Sequence, residues 1–138
     1  MIAFLDASAL IYLVEGEAPW VQSTQATLQQ LAVEAPDLTL AVSRLSVLEC
    51  RVAPLRRGDQ ASLDRCEALF ALSDLQMVEL SASVVELATQ LRATHGLRTP
   101  DALQAACCLQ LGPDAVMVTG DAGFQRAQAL HVRLIACA

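Results

Sequence analysis

The 138-residue sequence contains no lysine and no asparagine. Its basic charge comes from nine arginines alone, against fifteen acidic residues, which leaves a formal net charge of −6 at pH 7. The lack of lysine argues against Walker-A phosphate sites, receiver domains and haloacid-dehalogenase-type phosphatases, which normally place a lysine beside a phosphate. The acidic balance argues against a protein that coats nucleic acid through bulk charge. It does not exclude a nuclease whose carboxylates are offset by a bound metal ion.

Cysteine pairs at metal-ligand spacing are also missing. The five cysteines, at positions 50, 66, 107, 108 and 137, form no Cys-x-x-Cys pair and leave one odd. A disulfide framework and a structural zinc site are therefore not expected, and we interpret the cysteines as small reduced core residues. His95 and His131 have no partner at ligand spacing, so we do not expect them to be catalytic.

Long apolar runs are absent, although 54% of the residues are hydrophobic. The longest wholly apolar stretches fall far below the roughly 18 residues that a membrane-spanning helix needs. The N-terminal run Met1-Ile2-Ala3-Phe4-Leu5 lacks the basic flank of a secretory signal. We therefore expect a cytoplasmic protein without a membrane partner, folded as one domain over residues 1–138.

Strand-like and helical segments alternate along the chain. Continuous apolar runs at 2–5 and 115–118 are typical of buried parallel strands, and further strands are predicted at 38–42, 76–80 and 132–136. Helices are predicted at 7–14, from 19 to 35, from 43 until Pro54 and Arg56-Arg57-Gly58 break the helix, from 59 to 73, from 81 or 83 to 96, at 99–111 and at 121–130. This alternation predicts an α/β fold, a three-layer α/β/α domain with a mainly parallel sheet of four or five strands.

One predicted helix carries an apolar stripe formed by Leu45, Leu48, Val52 and Leu55. We expect this stripe to face the core, because its members recur at helical spacing. Glu49 lies on the margin of the stripe rather than opposite it. Its carboxylate can therefore point toward the edge of the sheet.

Three acidic residues, far apart in sequence, follow predicted strands or begin a helix. Asp6 follows the first strand and Asp121 follows the fourth. Asp101 comes directly after a helix start in which Thr99 is the predicted N-cap and Pro100 the first helical residue. In open α/β folds, ligand sites gather at the carboxyl ends of the strands and the helix starts beside them. We expect these three acids to converge there, with Glu49 as the fourth.

Each of these acids has a hydroxyl neighbour or a simpler structural explanation. Ser8, Thr99 and Thr119 each lie two residues from one of the aspartates and are suited to orient a carboxylate or a water. Alternatively, the aspartates cap helices or stabilise a first helical turn, and Glu49 pairs with Arg51.

Four carboxylates within a few ångströms repel one another unless a cation is present. An oxygen-only ligand set favours Mg²⁺ or Mn²⁺ over Zn²⁺. Such a site suits metal-assisted hydrolysis of phosphodiester bonds. A phosphatase-like α/β domain is an alternative, although Asp6-Ala7-Ser8 lacks the second aspartate of a D-x-D motif.

Four motifs occur in order along essentially the whole chain: Phe4-Leu5-Asp6-Ala7-Ser8, Ser46-Val47-Leu48-Glu49, Leu97-Arg98-Thr99-Pro100-Asp101-Ala102-Leu103-Gln104-Ala105-Ala106 and Val118-Thr119-Gly120-Asp121-Ala122-Gly123-Phe124. This ordered set resembles the PIN-domain nucleases and, within them, the VapC-type toxins of toxin-antitoxin pairs. The resemblance implies a pocket for Mg²⁺ or Mn²⁺ formed by Asp6, Glu49, Asp101 and Asp121, with Ser8 and Thr119 in support.

The resemblance also implies an RNA substrate that is cut endonucleolytically, a homodimer, and a cognate antitoxin whose C-terminal segment covers the groove. A PIN fold that binds RNA or protein without turnover is the other interpretation. An RNA groove needs local positive charge, which arginines must supply here. The candidates are Arg44, Arg51, Arg56, Arg57, Arg92 and Arg98.

The apolar content bears on the homodimer. A hydrophobic share of 54% exceeds what we expect one core of this size to bury, and large exposed apolar surfaces usually mark interfaces. One candidate interface is the segment 58–73, which is rich in Leu63, Leu69, Phe70 and Leu72. The same side chains would serve equally well as core.

Overall fold

A parallel five-stranded sheet organises the computed structural model, which describes residues 1–136. The strands are β1 (Ile2–Leu5), β2 (Thr39–Ser43), β3 (Leu75–Val78), β4 (Ala115–Thr119) and β5 (Val132–Leu134). They lie in the order β3-β2-β1-β4-β5, and every neighbouring pair is parallel. The first strand is therefore central, with β2 and β4 on either side.

Helices make the crossovers that parallel strands require. They are α1 (Ala7–Glu15), α2 (Trp20–Glu34), α3 (Arg44–Arg57), α4 (Gln60–Phe70), α5 (Ala82–His95) and α6 (Thr99–Gln110). A short 3₁₀ helix, Ala122–Arg126, lies between β4 and β5. Within residues 1–136, none of the helices combines the length and the hydropathy needed to span a membrane.

The sheet separates two apolar layers, because successive side chains of a strand point to opposite faces. Phe4 and Met117, which are register partners, belong to the layer that contains residues of α5 and α6. Leu5 and Val118, the next register pair, belong to the layer that contains residues of α1 to α4. The predicted three-layer α/β/α architecture is confirmed.

Helix α3 turns a different face to the core from the one predicted. Leu48 and Leu55 are exposed, with 57% and 62% of their surface accessible. The buried residues are Ser46, Cys50 and Pro54, which follow one another at intervals of four and so share a face. The prediction was wrong because small side chains occupy the close contact of α3 with the rest of the domain, and hydropathy alone does not reveal such a contact.

Pro54 and the segment 56–58 were predicted to break α3; the helix continues through Pro54 to Arg57 and is capped by Gly58 at a φ of 66°. Proline has no N–H, so the carbonyl of Cys50 loses its helical donor. The Cys66 thiol of α4 lies 3.7 Å from this carbonyl and donates a weak hydrogen bond to it. The neighbouring helix therefore compensates for the proline.

The segment from 121 to 130, predicted as a helix, contains only the short 3₁₀ helix. Its buried apolar residues are Phe124, Ala127 and Leu130. They are spaced by three, and a 3₁₀ turn followed by irregular backbone places such residues on one side without an α-helix. The closing strand also ends at Leu134 rather than at position 136.

Four cysteines, at positions 50, 66, 107 and 108, are free and buried. Burial raises the pKa of the Cys50 and Cys108 thiols to about 12, so both stay protonated at neutral pH. The interpretation of these four as reduced core residues is confirmed. Cys137 lies outside the described residues.

Candidate metal centre

The carboxyl edge of the sheet brings two of the predicted acids to neighbouring strands. Asp6 directly follows β1 and Asp121 lies two residues beyond β4, and these strands pair with Leu5 opposite Val118. The backbone N–H of Asp6 donates to the carbonyl of Val118 at 3.3 Å. Asp101 lies in the first turn of α6.

Asp6 is the most deeply placed of the four acids, with only 3% of its surface exposed. Its Oδ1 accepts hydrogen bonds from the Ser8 hydroxyl at 2.6 Å and from the backbone N–H of Ala9 at 3.0 Å. Its Oδ2 accepts from the Thr119 hydroxyl. Asp6 therefore caps α1, as the structural explanation predicted, and is also held from two further sides.

The two hydroxyl side chains connect the ends of β1 and β4. Ser8 Oγ accepts a hydrogen bond from the backbone N–H of Gly120 at 3.0 Å. Thr119 Oγ1 accepts from the backbone N–H of Asp121, also at 3.0 Å. Ser8 and Thr119 thus lie where the sequence predicted supporting hydroxyl groups.

Glu49 reaches the same region from the second turn of α3 and is half-buried. Its Oε1 accepts a hydrogen bond of 2.8 Å from Nε2 of Gln104, a residue of α6. The suggested ion pair with Arg51 does not form, because Arg51 Nε instead donates to the carbonyl of Val47 at 2.7 Å. Gln104 was not identified from the sequence, although it stands three residues after Asp101 in the same motif.

Thr99 does not join this arrangement. The N-cap of α6 is Arg98, so Thr99 is the first helical residue rather than the cap. Its side chain is exposed and makes no hydrogen bond to any of the four acids in the described part of the chain. Of the other six predicted site residues, four are connected by hydrogen bonds at the carboxyl edge: Asp6, Ser8, Thr119 and Asp121. Glu49 and Asp101 lie near enough for the charges of these acids to affect their pKa values.

The pKa values show that the acids affect one another. Burial raises the pKa of Asp6, and the charge of Asp121 raises it further, while hydrogen bonds from Ser8, Thr119 and Ala9 act in the opposite direction. Burial likewise raises the pKa of Glu49, and the charges of Asp101 and Asp6 add to this effect. The pKa of Asp101 is raised by burial and then by Asp121.

Positive charge close to these acids is scarce. Arg98 Nε lies 3.9 Å from an Asp101 carboxylate oxygen. Across residues 1–136, no basic nitrogen lies within 4.0 Å of Asp6, Glu49 or Asp121. Asp121 uses Oδ1 to accept the backbone N–H of Gly123 at 2.8 Å, which begins the 3₁₀ helix.

A cleft of about 300 Å³ opens beside Asp101 and Asp121 and is also lined by Arg98 and Arg126. Both arginines lie near enough to lower the pKa of Asp101. Of the six arginines predicted to form an RNA groove, only Arg98 lines this cleft. Arg126 was not predicted from the sequence, where its one available signal is its position five residues after Asp121.

The other predicted arginines are mostly engaged elsewhere. Arg44 forms an ion pair of 2.7 Å with Glu79. Arg57 pairs with Glu15 and Asp59, both at 2.9 Å. Arg92 donates from Nη1 to the carbonyl of Leu97 at 3.1 Å. A continuous arginine groove built from these residues is therefore not observed.

Comparison with known proteins identifies the family. The sequence model of the PIN domain matches residues 3–130. The chain belongs to the PIN domain family. No curated protein matches it significantly.

Solved structures with the same fold include three proteins of toxin-antitoxin systems. VapBC2 of Rickettsia felis aligns with a TM-score of 0.77 at 20% identity, over 97% of this chain and 98% of that one. VapBC-1 of nontypeable Haemophilus influenzae aligns with a TM-score of 0.73 at 20% identity, over the same shares. Mycobacterium tuberculosis VapC20 aligns with a TM-score of 0.70 at 16% identity, over 95% and 98%. At these identities the likeness shows a shared fold.

The donor set of this PIN domain fits a hydrated hard cation. In the part of the chain that is described, no three Asp, Glu, His or Cys side chains are grouped closely enough to form a ready-made cage for a metal ion. Mg²⁺ does not need one, because it usually keeps several waters and binds to one or two carboxylates. The buried Asp6, which has no basic partner, suits such a ligand.

Raised carboxyl pKa values predict a pH dependence of stability in the metal-free PIN domain. Above the ordinary values of 3.8 for Asp and 4.5 for Glu, the folded state holds more protons than the unfolded state. The protonated carboxyl groups therefore stabilise the folded state. This contribution is fully present below the ordinary pKa values and is lost as the pH rises through the raised ones. We compare the melting temperatures of Asp6→Asn and the wild type in EDTA. We expect the melting temperature of the variant to rise relative to that of the wild type as the pH increases from 4 to 8.

Melting curves followed by circular dichroism test this expectation. A difference in melting temperature that is the same at every pH would reflect the hydrogen bonds that the substituted amide cannot make. The part of the difference that varies with pH reports the charge of Asp6. Asp74→Asn, at an exposed turn position, is the matched control and should run parallel to the wild type. Parallel curves for Asp6→Asn as well would contradict the assignment of the raised pKa.

Proposed function

We propose that the protein is a metal-dependent endoribonuclease that uses Mg²⁺ or Mn²⁺ and acts as the toxin of a toxin-antitoxin pair. The proposal is supported above all by the match to the PIN domain, together with the mutual influence of four acids, Asp6, Glu49, Asp101 and Asp121, on one another's pKa values. A bound divalent ion supplies Lewis-acid chemistry at a phosphate and makes water more acidic. The carboxylates supply the negative charge that holds the ion.

The acids of the site differ in how firmly hydrogen bonds orient them. Asp6 is held by three donors, so its carboxylate is oriented before anything binds. Glu49 is oriented through Gln104. Asp101 faces the cleft and is partly exposed, which suits contact with an ion and a substrate phosphate together.

The cleft supports a polyanionic substrate. Arg98 and Arg126 lie on the side of Asp101 and Asp121 that is open to solvent, where guanidinium groups can bind phosphate oxygens. That the substrate is RNA is supported by the structural likeness to VapC20, which is described as a toxin that cleaves the sarcin-ricin loop. We propose that Arg98 and Arg126 contact a backbone phosphate next to the scissile one.

Catalysis is tested by neutral substitutions of the acids. We expect Asp6→Asn and Asp101→Asn to lower kcat/KM for RNA by at least about 100-fold, because a metal ion contributes several kcal/mol of charge stabilisation to the transition state. A fluorogenic RNA measures the rate. EDTA should abolish cleavage by the wild type, and Mg²⁺ or Mn²⁺ should restore it and raise the melting temperature by mass action.

Asp74→Asn is the matched control for this experiment, since it removes an exposed carboxylate in the turn before β3. It should cleave at the wild-type rate. Undiminished cleavage in EDTA, or by either site variant, would overturn the proposal. A wild type that binds metal and RNA without cutting would instead favour the PIN fold as a binding module.

Substrate contact by the arginines predicts a salt effect. Each lost phosphate contact on a single strand reduces the slope of log affinity against log salt by about 0.7. Arg98→Gln and Arg126→Gln should therefore raise KM, leave kcat nearly unchanged and flatten the dependence of KM on NaCl. Arg56→Gln, in the last turn of α3, is the matched control. An equal effect of all three substitutions would indicate that the arginines attract RNA through the overall charge of the protein. It would contradict a specific phosphate contact by Arg98 and Arg126.

The proposal includes an antitoxin partner and a homodimer. The R. felis VapBC2 relative is described as bound to a DNA fragment from its promoter, and a Klebsiella pneumoniae relative as a toxin-antitoxin complex. In this chain, α3 and α4 flank a groove of about 550 Å³ whose apolar lining includes Leu55, Leu63 and Phe70. The exposed Leu48 and Leu72 add apolar surface on or next to these helices. The segment 58–73 thus contributes to an open apolar surface as well as to the core.

Light scattering over a dilution series tests self-association. We expect a dimer at micromolar concentration and expect Leu55→Glu to weaken it, because a carboxylate would be buried in the apolar groove. Val85→Glu, at an exposed position of α5, is the matched control. A wild-type monomer at micromolar concentration would contradict the dimer. The antitoxin partner is tested by co-expression with the product of the adjacent reading frame, and host toxicity that persists would contradict it.

A further inference from the structure

Glu49 depends on a single side chain for its orientation. Among the described residues, its only hydrogen-bond donor is Gln104, whereas Asp6 receives three donors. A glutamate also has one more rotatable bond than an aspartate, so it loses more freedom when it is fixed. The position of the Glu49 carboxylate is therefore set mainly by Gln104.

Gln104 is well placed to set it. Its side chain is only 2% exposed, and Nε2 donates both to Glu49 Oε1 at 2.8 Å and to Ser46 Oγ at 2.9 Å. Both acceptors belong to α3. Gln104 stands three residues after Asp101, so the two lie on the same side of α6. One helix thus carries a carboxylate of the site and the donor that holds a second carboxylate.

The amide oxygen of Gln104 shows why the amide nitrogen, and not the oxygen, faces Glu49. Gln104 Oε1 is buried and has no hydrogen-bond partner within residues 1–136. Reversing the amide would place this oxygen against the ionised Glu49 carboxylate, where both atoms are acceptors. The observed orientation therefore serves Glu49 and leaves an acceptor unsatisfied, which is unfavourable for stability. Local departures of this kind are expected at functional sites.

We propose that Gln104 is a positioning residue that holds the Glu49 carboxylate in place to help bind the divalent cation at the carboxyl edge of the sheet. The inference rests on the proposed function. It assigns Gln104 a part in metal affinity that acts through Glu49 and not through contact with the substrate.

Gln104→Met tests the inference, because methionine keeps the length and the apolar part of the side chain but cannot donate. We expect the dissociation constant for Mn²⁺, measured from free Mn²⁺ by electron paramagnetic resonance, to rise about tenfold, the lower end of the range for residues that orient metal ligands. The Mn²⁺ concentration for half-maximal cleavage should rise equally. The rate at saturating Mn²⁺ should fall less.

The matched control is Gln110→Met, the same substitution on the same helix. Gln110 is exposed and donates to Ser83 at 3.3 Å. It should leave Mn²⁺ affinity unchanged. If Gln104→Met does not fold, as judged by its melting curve, Gln104→Leu removes the same donor with a smaller side chain.

A double-mutant cycle separates positioning from packing. In a Glu49→Gln background, Gln104→Met should change the Mn²⁺ dissociation constant less than twofold, because the carboxylate it positions is gone. A wild-type affinity in Gln104→Met, or an equal tenfold loss in the Glu49→Gln background, would overturn the inference.

The inference and the proposed function fail in different ways. A wild type that binds Mn²⁺ but cuts no RNA would overturn the proposed function alone, since the Mn²⁺ titrations still report on Gln104. A wild type that cuts RNA while binding no Mn²⁺ would overturn the inference and the metal requirement together.

Discussion

The hydrogen bond from the Thr119 hydroxyl to the buried Asp6 carboxylate joins the ends of two neighbouring central strands. The same carboxylate caps α1, and the same hydroxyl accepts the backbone N–H of Asp121. One small network thus sets the start of a helix, the register at the end of the sheet and the position of two acids. Burying a carboxylate is unfavourable unless its oxygens are hydrogen-bonded, and three donors meet that need. The remaining parts of the candidate site are arranged around this fixed point.

Repulsion among the acids shapes the surroundings of this network. Asp6, Glu49 and Asp101 all have raised pKa values, so the folded chain is less favourable at neutral pH than it would be without them. A protein with a net charge of −6 and nine arginines has little positive charge with which to offset this. Several of those arginines are engaged in ion pairs away from the acids, such as that of Arg57 with Glu15. Residues that favour function over stability are expected to show such local conflicts, and the unsatisfied acceptor of Gln104 is a second example.

Sequence patterns were reliable where local signals and burial agree. The alternation of short apolar runs with capped helices predicted the parallel sheet and its three layers, since β1 and β4 are buried on both faces. Patterns misled where packing overrides hydropathy. Helix α3 buries Ser46 and Cys50 and exposes Leu48, and the segment after Asp121 is a 3₁₀ helix because its buried residues are spaced by three. For α3 the close approach of neighbouring elements, which is not a local property, decided which face is buried.

For the candidate site, the sequence by itself indicated Asp6, Asp101 and Asp121, because the end of a parallel strand and the start of a helix are local features. Glu49 was inferred from an apolar stripe of α3 that is partly exposed, so its placement depended on the tertiary structure. The sequence also indicated Ser8 and Thr119, which lie two residues from Asp6 and Asp121. Only the tertiary structure decided that Thr99 stays outside, that Gln104 holds Glu49, and that Arg126 lines the cleft with Arg98 while Arg44 and Arg57 do not. These contacts join residues that are far apart in the chain. Their formation depends on how helices pack across the sheet, and no spacing within a single element encodes that.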